Sequence, residues 1–170
     1  MTKLFRLTAA AVALVAGASP ALAVNPDKNA TGTVRIVKPL TLLWVQDLDL
    51  GTVLLSGTGA WSGAAVGITK AGVFTCPNAN VTCSGATKVA KYKITGTNNA
   101  DVIINTGNVT MVNANDNTKS LLLTVDSPGT VNLGNSGAAG YTFSLGGAIS
   151  VDSTTTDGQY TGTFNVTVNY

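Results

Sequence analysis

Acidic side chains are the first candidates for chemistry in this sequence of 170 residues, because it contains no histidine. Without histidine, neither a Ser-His-Asp nor a Cys-His arrangement can be built. Asp47 and Asp49, in the stretch QDLDLG, are spaced to lie on one face of a strand. Two carboxylates could act together on a glycosidic bond or bind calcium. Paired acids on one strand more often mark its polar face, and Gly51 a turn, so we predict no site at this pair.

Three further features could bind a ligand, and each has a simpler structural interpretation. NANDNT, residues 113–118, offers oxygen ligands but lacks the glycine and distal glutamate of a calcium loop, so we interpret it as a hairpin tip. GTGAWSG, residues 57–63, lacks the strand-then-helix setting of a phosphate-binding loop. Trp44 and Trp61 are interpreted as core or edge packing in preference to a sugar platform. We therefore expect no enzyme, no catalytic residue, no metal and no cofactor.

Residues 1–23 have the features of a secretory signal peptide. Lys3 and Arg6 precede an apolar run over residues 7–17, and the small-x-small pattern Ala-Leu-Ala ends at Ala23. A membrane span would need about 20 uninterrupted apolar residues. We expect export by a bacterial Sec-type signal, cleavage after Ala23, and no integral membrane segment after cleavage.

Cys76 and Cys83 are the two cysteines of the sequence, and they bound the segment CPNANVTC. In an exported chain, a close and even pair of cysteines predicts a disulfide. A metal or redox role is the alternative, but the spacing is not Cys-x-x-Cys and no histidine could complete a zinc site. A disulfide across so short a loop contributes about 2–3 kcal/mol on the chain-entropy estimate, which is enough to pin one hairpin.

The chain without its leader is close to neutral, because two of the ten basic residues lie in the leader and all eight acidic residues lie beyond it. A neutral chain has no basic surface of the kind that binds nucleic acid, so we expect no nucleic-acid partner. Lys88, Lys91 and Lys93 form a small cluster, which is typical of a solvated strand edge protected by lysine.

Short strand-like runs alternate with Gly, Asn, Asp and Ser at the spacing typical of a β-sandwich or barrel. No segment beyond the leader has a helical period long enough to compete. We predict strands over residues 33–45, 51–55, 64–69, 71–75, 88–95, 101–105, 109–112, 119–125, 130–133, 141–150 with a break at Gly146-Gly147, and 159–170. The prediction is an all-β protein with a flexible N-terminus and candidate donor strand over residues 24–42 and a single β-sandwich domain over residues 43–170.

Two segments alternate with particular regularity. In residues 160–170, aromatic and apolar residues share one face of a strand, and Thr and Asn share the other. Residues 30–42 also place small and apolar residues on one face, apart from Lys38. Pro39 falls on the opposite face, and because proline cannot donate to a ladder it indicates an edge or added strand. We infer that these strands are themselves the functional parts.

The ending GQYTGTFNVTVNY resembles the C-terminal strand of chaperone-usher pilins, in particular the archaic, spore-coat-U-like branch, where a Gly-x-Tyr start leads through alternating residues to a final aromatic. The N-terminal segment of that branch is similar to TGTVRIVKPLTL followed by DLDLG in this chain. Nearly the whole chain beyond the leader is also similar to a bacterial family of exported proteins with an unknown-function label, through DLDLG, VDSPGTVNL and YTGTF.

The resemblance implies an immunoglobulin-like β-sandwich that lacks one strand and is completed by a donated N-terminal strand. The implied partners are a periplasmic chaperone, an outer-membrane usher, and neighbouring copies of the chain or related subunits. The implied donor residues are Gly32, Val34, Ile36, Leu40 and Leu42. The implied chaperone and acceptor edge is Phe164, Val166, Val168 and Tyr170. The protein would be a structural subunit of a pilus, or fimbria, that passes through the periplasm to the cell surface of a Gram-negative bacterium.

The sequence departs from the pilin pattern at two points. LLWVQDLDLG has no cysteine where the archaic branch has one near the start of the first strand, and Lys38 falls on the face that the resemblance implies is buried. A second hypothesis therefore stays open beside the pilus subunit. It is a complete, monomeric β-sandwich of the envelope that binds a ligand, such as a glycan through Trp44 or Trp61.

Overall fold

The computed structural model describes residues 27–76, 79–135 and 139–170, and the predicted leader lies outside these ranges. Within them every regular element is a β-strand, so the all-β prediction is confirmed. The strands are β1 (Thr41–Gln46), β2 (Thr52–Leu55), β3 (Ala64–Ile68), β4 (Phe74–Thr75), β5 (Val81–Ser84), β6 (Ala90–Thr95), β7 (Asp101–Thr106), β8 (Val109–Asn113), β9 (Ser120–Asp126), β10 (Thr130–Asn132), β11 (Tyr141–Val151), β12 (Tyr160–Thr161) and β13 (Val166–Asn169). No helix able to cross a membrane is found in this part of the chain.

Internal contacts divide the chain into two units, residues 1–35 and 36–170. Of the first unit, the structure describes residues 27–35, which form no strand and are exposed. The second unit contains all thirteen strands. Its sheets are antiparallel and pack in a sandwich-like arrangement.

The largest sheet is organised by β11. The main path of this sheet is β1-β6-β11-β9-β8-β12, and β3 joins β11 as a branch that continues to β4. The first half of β11 pairs with β6, from Tyr141 to Leu145, and the second half pairs with β3, from Gly147 to Val151. The change of partner occurs at Gly146-Gly147, where the sequence predicts a break. A Cβ atom at Gly146 would collide with the carbonyl oxygen of Ile68, so glycine allows the two strands to approach.

Two small sheets complete the fold. One has the order β10-β7-β13, with β7 in the centre, and the other is the pair β2-β5. Residues of β7 alternate as the pleat requires, since Val102 and Ile104 are buried while Asp101, Ile103 and Asn105 are exposed.

The first core joins the β10-β7-β13 sheet to β6 and the first half of β11. Its buried members are Ala90, Ile94, Val102, Ile104, Val131, Leu133, Phe143 and Leu145. Burial of one Val, Leu, Ile or Phe side chain contributes about 1.5–3 kcal/mol, so these eight positions account for much of the driving force of folding in this half.

The second core lies around the disulfide. Ala64, Val66, Val81 and Val151 are its buried members, and Cys76 and Cys83 pack against them. These cysteines are joined by a disulfide with a Cα–Cα distance of 6.3 Å, as predicted. The bond ties β5 to the segment that follows β4.

Several strand predictions were wrong. Residues 81–84 form β5, paired with β2, where the sequence analysis predicts no strand. Residues 33–40 form no strand, and the first strand begins at Thr41. The cluster of Lys88, Lys91 and Lys93 does not mark a sheet edge, since β6 lies between β1 and β11.

The continuous strand predicted over residues 159–170 is also wrong. It is two short strands in different sheets: β12 pairs with β8, and β13 pairs with β7. At Gly162 the chain passes close to β8, where an added Cβ atom would lie 2.6 Å from Cγ1 of Val109. Alternation in the sequence therefore continues across a point where the chain changes sheets.

Replacing both cysteines by serine should lower the free energy of unfolding by about 2–3 kcal/mol, because the disulfide restricts the unfolded chain. Urea unfolding of the two oxidised proteins, followed by fluorescence, measures the difference. Dithiothreitol should lower the stability of the natural chain to that of the variant and leave the variant unchanged. A loss below about 0.5 kcal/mol would contradict this expectation and show that packing alone holds β5 to the segment that follows β4.

Candidate strand-docking edge

The carboxylates of Asp47 and Asp49 each accept a hydrogen bond from a nearby residue of the chain. The indole N–H of Trp44 donates to Asp47 Oδ1 at 3.0 Å, and the backbone N–H of Gly51 donates to Asp49 Oδ1 at 2.9 Å. The described residues contain no group of three or more side chains able to hold a metal ion. These carboxylates shape the turn after β1, whereas the sequence predicts that they mark the polar face of a strand.

Other carboxylates also anchor turns. Thr118, which follows Asp116 by two residues, lowers the pKa of that carboxyl through a side-chain hydrogen bond, and Thr154 does the same for Asp152. The backbone N–H of Lys70 lowers the pKa of Asp126, and the Lys70 ammonium lies 2.9 Å from Asp126 Oδ1. NANDNT lies at the β8–β9 connection, as predicted for a hairpin tip, with the buried Asn113 accepting the N–H of Asn115.

No predicted donor or acceptor residue lines either of two surface cavities formed by described residues. The larger, about 550 Å³, is an apolar depression over β3, β9 and β11 with a floor of small residues such as Ala65 and Ala148. The smaller, about 280 Å³, is polar and is lined by Lys119, Asp152 and Tyr160 among others. The predicted acceptor residues lie on or beside the edge strand β13, and the predicted donor residues lie in β1 or in the segment before it.

The first edge is β13, at one end of its three-stranded sheet. β13 pairs with β7 in the register Val166↔Thr106 and Val168↔Ile104, and no described strand pairs with its other side. Phe164, Val166 and Val168 pack against the first core but are only partly buried. One side of β13 therefore presents unpaired backbone groups beside apolar side chains that are incompletely covered.

The second edge is β1, at one end of the large sheet. β1 pairs with β6 alone among the described strands, and Leu42 packs against the same first core as β13. Trp44 lies on the same face as Leu42 by alternation, opposite Tyr92 in the register, yet 56% of its surface is exposed. Burial and the nearby Asp47 carboxylate raise the pKa of Tyr92. The first core thus has partly covered apolar residues on both edge strands.

A group of four residues connects the segment before β1 to the residue after β13, and we call it the Tyr170 cluster: Lys38, Thr97 and Tyr170, which share hydrogen bonds, and Gly96, which packs beside them. The Tyr170 hydroxyl donates to the carbonyl oxygen of Lys38 at 2.5 Å and accepts the backbone N–H of Thr97 at 2.8 Å. The Lys38 N–H donates to Thr97 Oγ1 at 2.7 Å, and that oxygen lies 3.2 Å from the Tyr170 hydroxyl. Both backbone groups of Lys38 are therefore bonded to side chains.

Gly96 makes room for the cluster. A Cβ atom at this position would lie 2.7 Å from the Tyr170 hydroxyl oxygen and 2.8 Å from Cδ2 of Leu40. Residue 96 is buried, and a methyl group there would displace the Tyr170 hydroxyl from its position between Lys38 and Thr97. Gly96 and Thr97 could not be predicted as part of a site, because Gly-Thr after a strand is an ordinary turn.

The predicted donor residues fall into two groups. Leu40 and Leu42 pack against the first core of their own chain, and Leu42 pairs with Ile94. Gly32, Val34 and Ile36 lie in an exposed segment without strands, where Val34 and Ile36 are 84% and 85% exposed. We call residues 27–37 the arm. The predicted acceptor residues Phe164, Val166, Val168 and Tyr170 all lie on or beside β13.

Comparison with known proteins gives one match. A family model described as "Domain of unknown function (DUF4402)" matches residues 40–170. No curated protein and no solved structure matches the chain. The match begins at Leu40, which is also where side chains start to pack against the first core.

Replacing Gly96 by alanine should lower the free energy of unfolding by about 1–3 kcal/mol, because the new methyl group overlaps the Tyr170 hydroxyl and Leu40. Chemical denaturation monitored by tryptophan fluorescence measures the change. Gly107→Ala is the matched control, since nothing lies within 4 Å of a Cβ atom there. Equal free energies of unfolding for the two variants would show that the Tyr170 cluster accommodates the added methyl group without loss of stability.

Proposed function

The chain belongs to the DUF4402 family of domains of unknown function, and we propose a role for it from the geometry of the structure, because the family name assigns no activity. We propose that the protein is a structural subunit of a surface pilus or pilus-like filament. In this proposal, subunits assemble by donor-strand exchange through a periplasmic chaperone and an outer-membrane usher. The observation that carries the proposal is the unpaired side of β13 beside partly covered residues of the first core.

The physical argument rests on what an added strand would do at that edge. A strand paired with β13 would satisfy its free backbone N–H and C=O groups, and its alternate side chains would cover Phe164, Val166 and Val168. An immunoglobulin-like sandwich that lacks one strand has this need, whereas a complete sandwich protects its edges. The proposal therefore takes the domain to be incomplete by itself.

The arm supplies a segment with the chemistry of such a strand. Gly32, Val34 and Ile36 alternate with polar or charged residues, so an extended arm has one apolar face. Single exposed apolar residues are ordinary on protein surfaces. Val34 and Ile36 are β-branched residues, which favour strands, and they share one face of a segment that forms no strand in its own subunit. This pattern is expected of a segment that becomes a strand by pairing with another subunit.

Export is part of the proposal. The signal-peptide pattern of residues 1–23 and the disulfide both suit an oxidising compartment such as the periplasm. Delivery to the cell surface through an usher would follow from subunit exchange on β13.

One observation favours the second hypothesis, a self-contained envelope protein that binds a glycan. Trp44 is 56% exposed, and its indole N–H is fixed by Asp47, so the ring is held in one orientation at the surface. Exposed, oriented aromatic rings can stack on sugars. Trp61 packs against the second core and does not offer such a surface.

Ile36→Asp should reduce polymer formation at least tenfold, because a carboxylate cannot be buried against the first core of a neighbouring subunit without a large cost. Polymers are measured as ladders that survive unheated SDS gels, after expression with a cognate chaperone. Chaperone binding and the melting temperature should stay unchanged. Thr33→Asp, on the opposite face of the arm, is the control and should polymerise normally.

A loss of both polymerisation and thermal stability in Ile36→Asp would instead make Ile36 part of its own core. A natural chain that stays monomeric, with or without a chaperone, would overturn the pilus proposal.

Under the glycan hypothesis, Trp44→Ala should weaken binding to a glycan array at least tenfold, because the stacking surface is removed. Leu43→Ala, at an equally exposed neighbour on the other face of β1, is the control and should bind normally. If the natural chain binds no glycan above background, the second hypothesis fails.

A further inference from the structure

We infer that the Tyr170 cluster is the hinge of the arm: it holds Lys38 to its own subunit, so that only residues N-terminal to Lys38 can be donated to a neighbour. This inference rests on the proposed function, and it restricts the donor residues implied by the resemblance. Gly32, Val34 and Ile36 remain donors, whereas Leu40 and Leu42 stay in the subunit that carries them.

The first step is the state of the Lys38 backbone. In a β-ladder, a neighbouring strand accepts the N–H and donates to the C=O of a residue. At Lys38, Thr97 Oγ1 accepts the N–H at 2.7 Å and the Tyr170 hydroxyl donates to the C=O at 2.5 Å. Two side chains thus replace the partner strand at this residue, and the chain is fixed there without being part of a sheet.

The second step compares the two sides of Lys38. On the following side, β1 pairs with β6 from Thr41 onward, and Leu40 and Leu42 pack against the first core. Donation of these leucines would require that β1 leave β6 and that two partly buried apolar side chains lose their contacts with the first core. On the preceding side, residues 27–37 are exposed and form no strand, so they can leave without breaking a ladder.

The third step is length. Eight extended residues, 30–37, span about 26 Å at 3.3 Å per residue. β13 has four residues, Val166–Asn169, which span about half that length. The arm up to Val37 is therefore long enough to pair with the whole of β13 in another copy, and nothing in the geometry requires Leu40 or Leu42.

Proline reinforces the boundary. Pro39 follows Lys38 directly and has no N–H to donate. A donated strand that continued through residue 39 would lose a ladder bond at that position, whereas a strand that ends before Lys38 loses none.

The decisive experiment locks β1 to its own subunit. Leu43 and Lys93 are register partners on β1 and β6, and Leu43 is exposed, so the pair Leu43→Cys and Lys93→Cys can form a cross-strand disulfide without altering the first core. The oxidised full-length chain should polymerise to within about twofold of the natural chain. Loss of polymerisation that dithiothreitol restores would show that β1 must be released, and would overturn the inference.

Controls separate this result from the proposed function. The natural chain with dithiothreitol shows the effect of reducing Cys76–Cys83 alone. If the natural chain forms no polymer, the pilus proposal fails and the donor boundary fails with it. If the natural chain polymerises and the locked chain does not, only the hinge inference fails.

Hydrogen exchange tests the hinge without assembly. In the monomer, the amide of Lys38 should exchange at least tenfold more slowly than that of Ile36, because it is bonded to Thr97 Oγ1. Thr97→Val should remove the difference and Thr97→Ser should restore it, as measured by NMR. Equal exchange rates of the two amides in the natural chain would show that no hinge exists at Lys38.

Discussion

A strand at the end of a sheet leaves backbone donors and acceptors without partners along one side, and this condition at β13 governs the interpretation of the whole domain. The residues of β13 are also part of the first core, so the same segment has unpaired polar groups and incompletely covered apolar groups. Water can satisfy the polar groups, but it cannot remove the cost of wet apolar surface. Both needs are met at once by an added strand of alternating pattern, and the arm has that pattern.

The sequence predicted the fold class because its signals were local. Alternating residues and turn residues mark each strand, and the cysteine spacing marks the disulfide. The missed features depend on contacts between distant residues. β5 was overlooked because Val81-Thr82-Cys83-Ser84 is short and follows proline and asparagine, and it is a strand only because β2 lies beside it. The pattern of residues 160–170 continues unbroken through Gly162, so the change of sheet there could not be predicted from alternation.

The candidate site also combines features that local sequence patterns predict with features that depend on contacts between distant residues. The apolar faces of the arm and of β13 could be predicted from the alternation of residues, and in the structure the arm is exposed and β13 lies at the end of its sheet. The division of the donor residues at Lys38 could not be predicted, because it depends on Thr97 and Tyr170, which are 59 and 132 residues away along the chain. A lysine on an apolar face was a discrepancy in the sequence. Under the hinge inference, the bonds from its backbone to Thr97 and Tyr170 place Lys38 outside the donated strand.

The position of Tyr170 has a mechanical consequence. In a row of subunits joined as proposed, tension would enter each subunit along β13 and leave through Lys38, and the Tyr170 cluster joins these two points by hydrogen bonds only a few residues from the end of β13. The load path would therefore cross the first core and bypass the second, where the disulfide lies. The disulfide would then protect the second core from chemical unfolding, while resistance to pulling would depend on shear between β13, β7 and the arm of the neighbour.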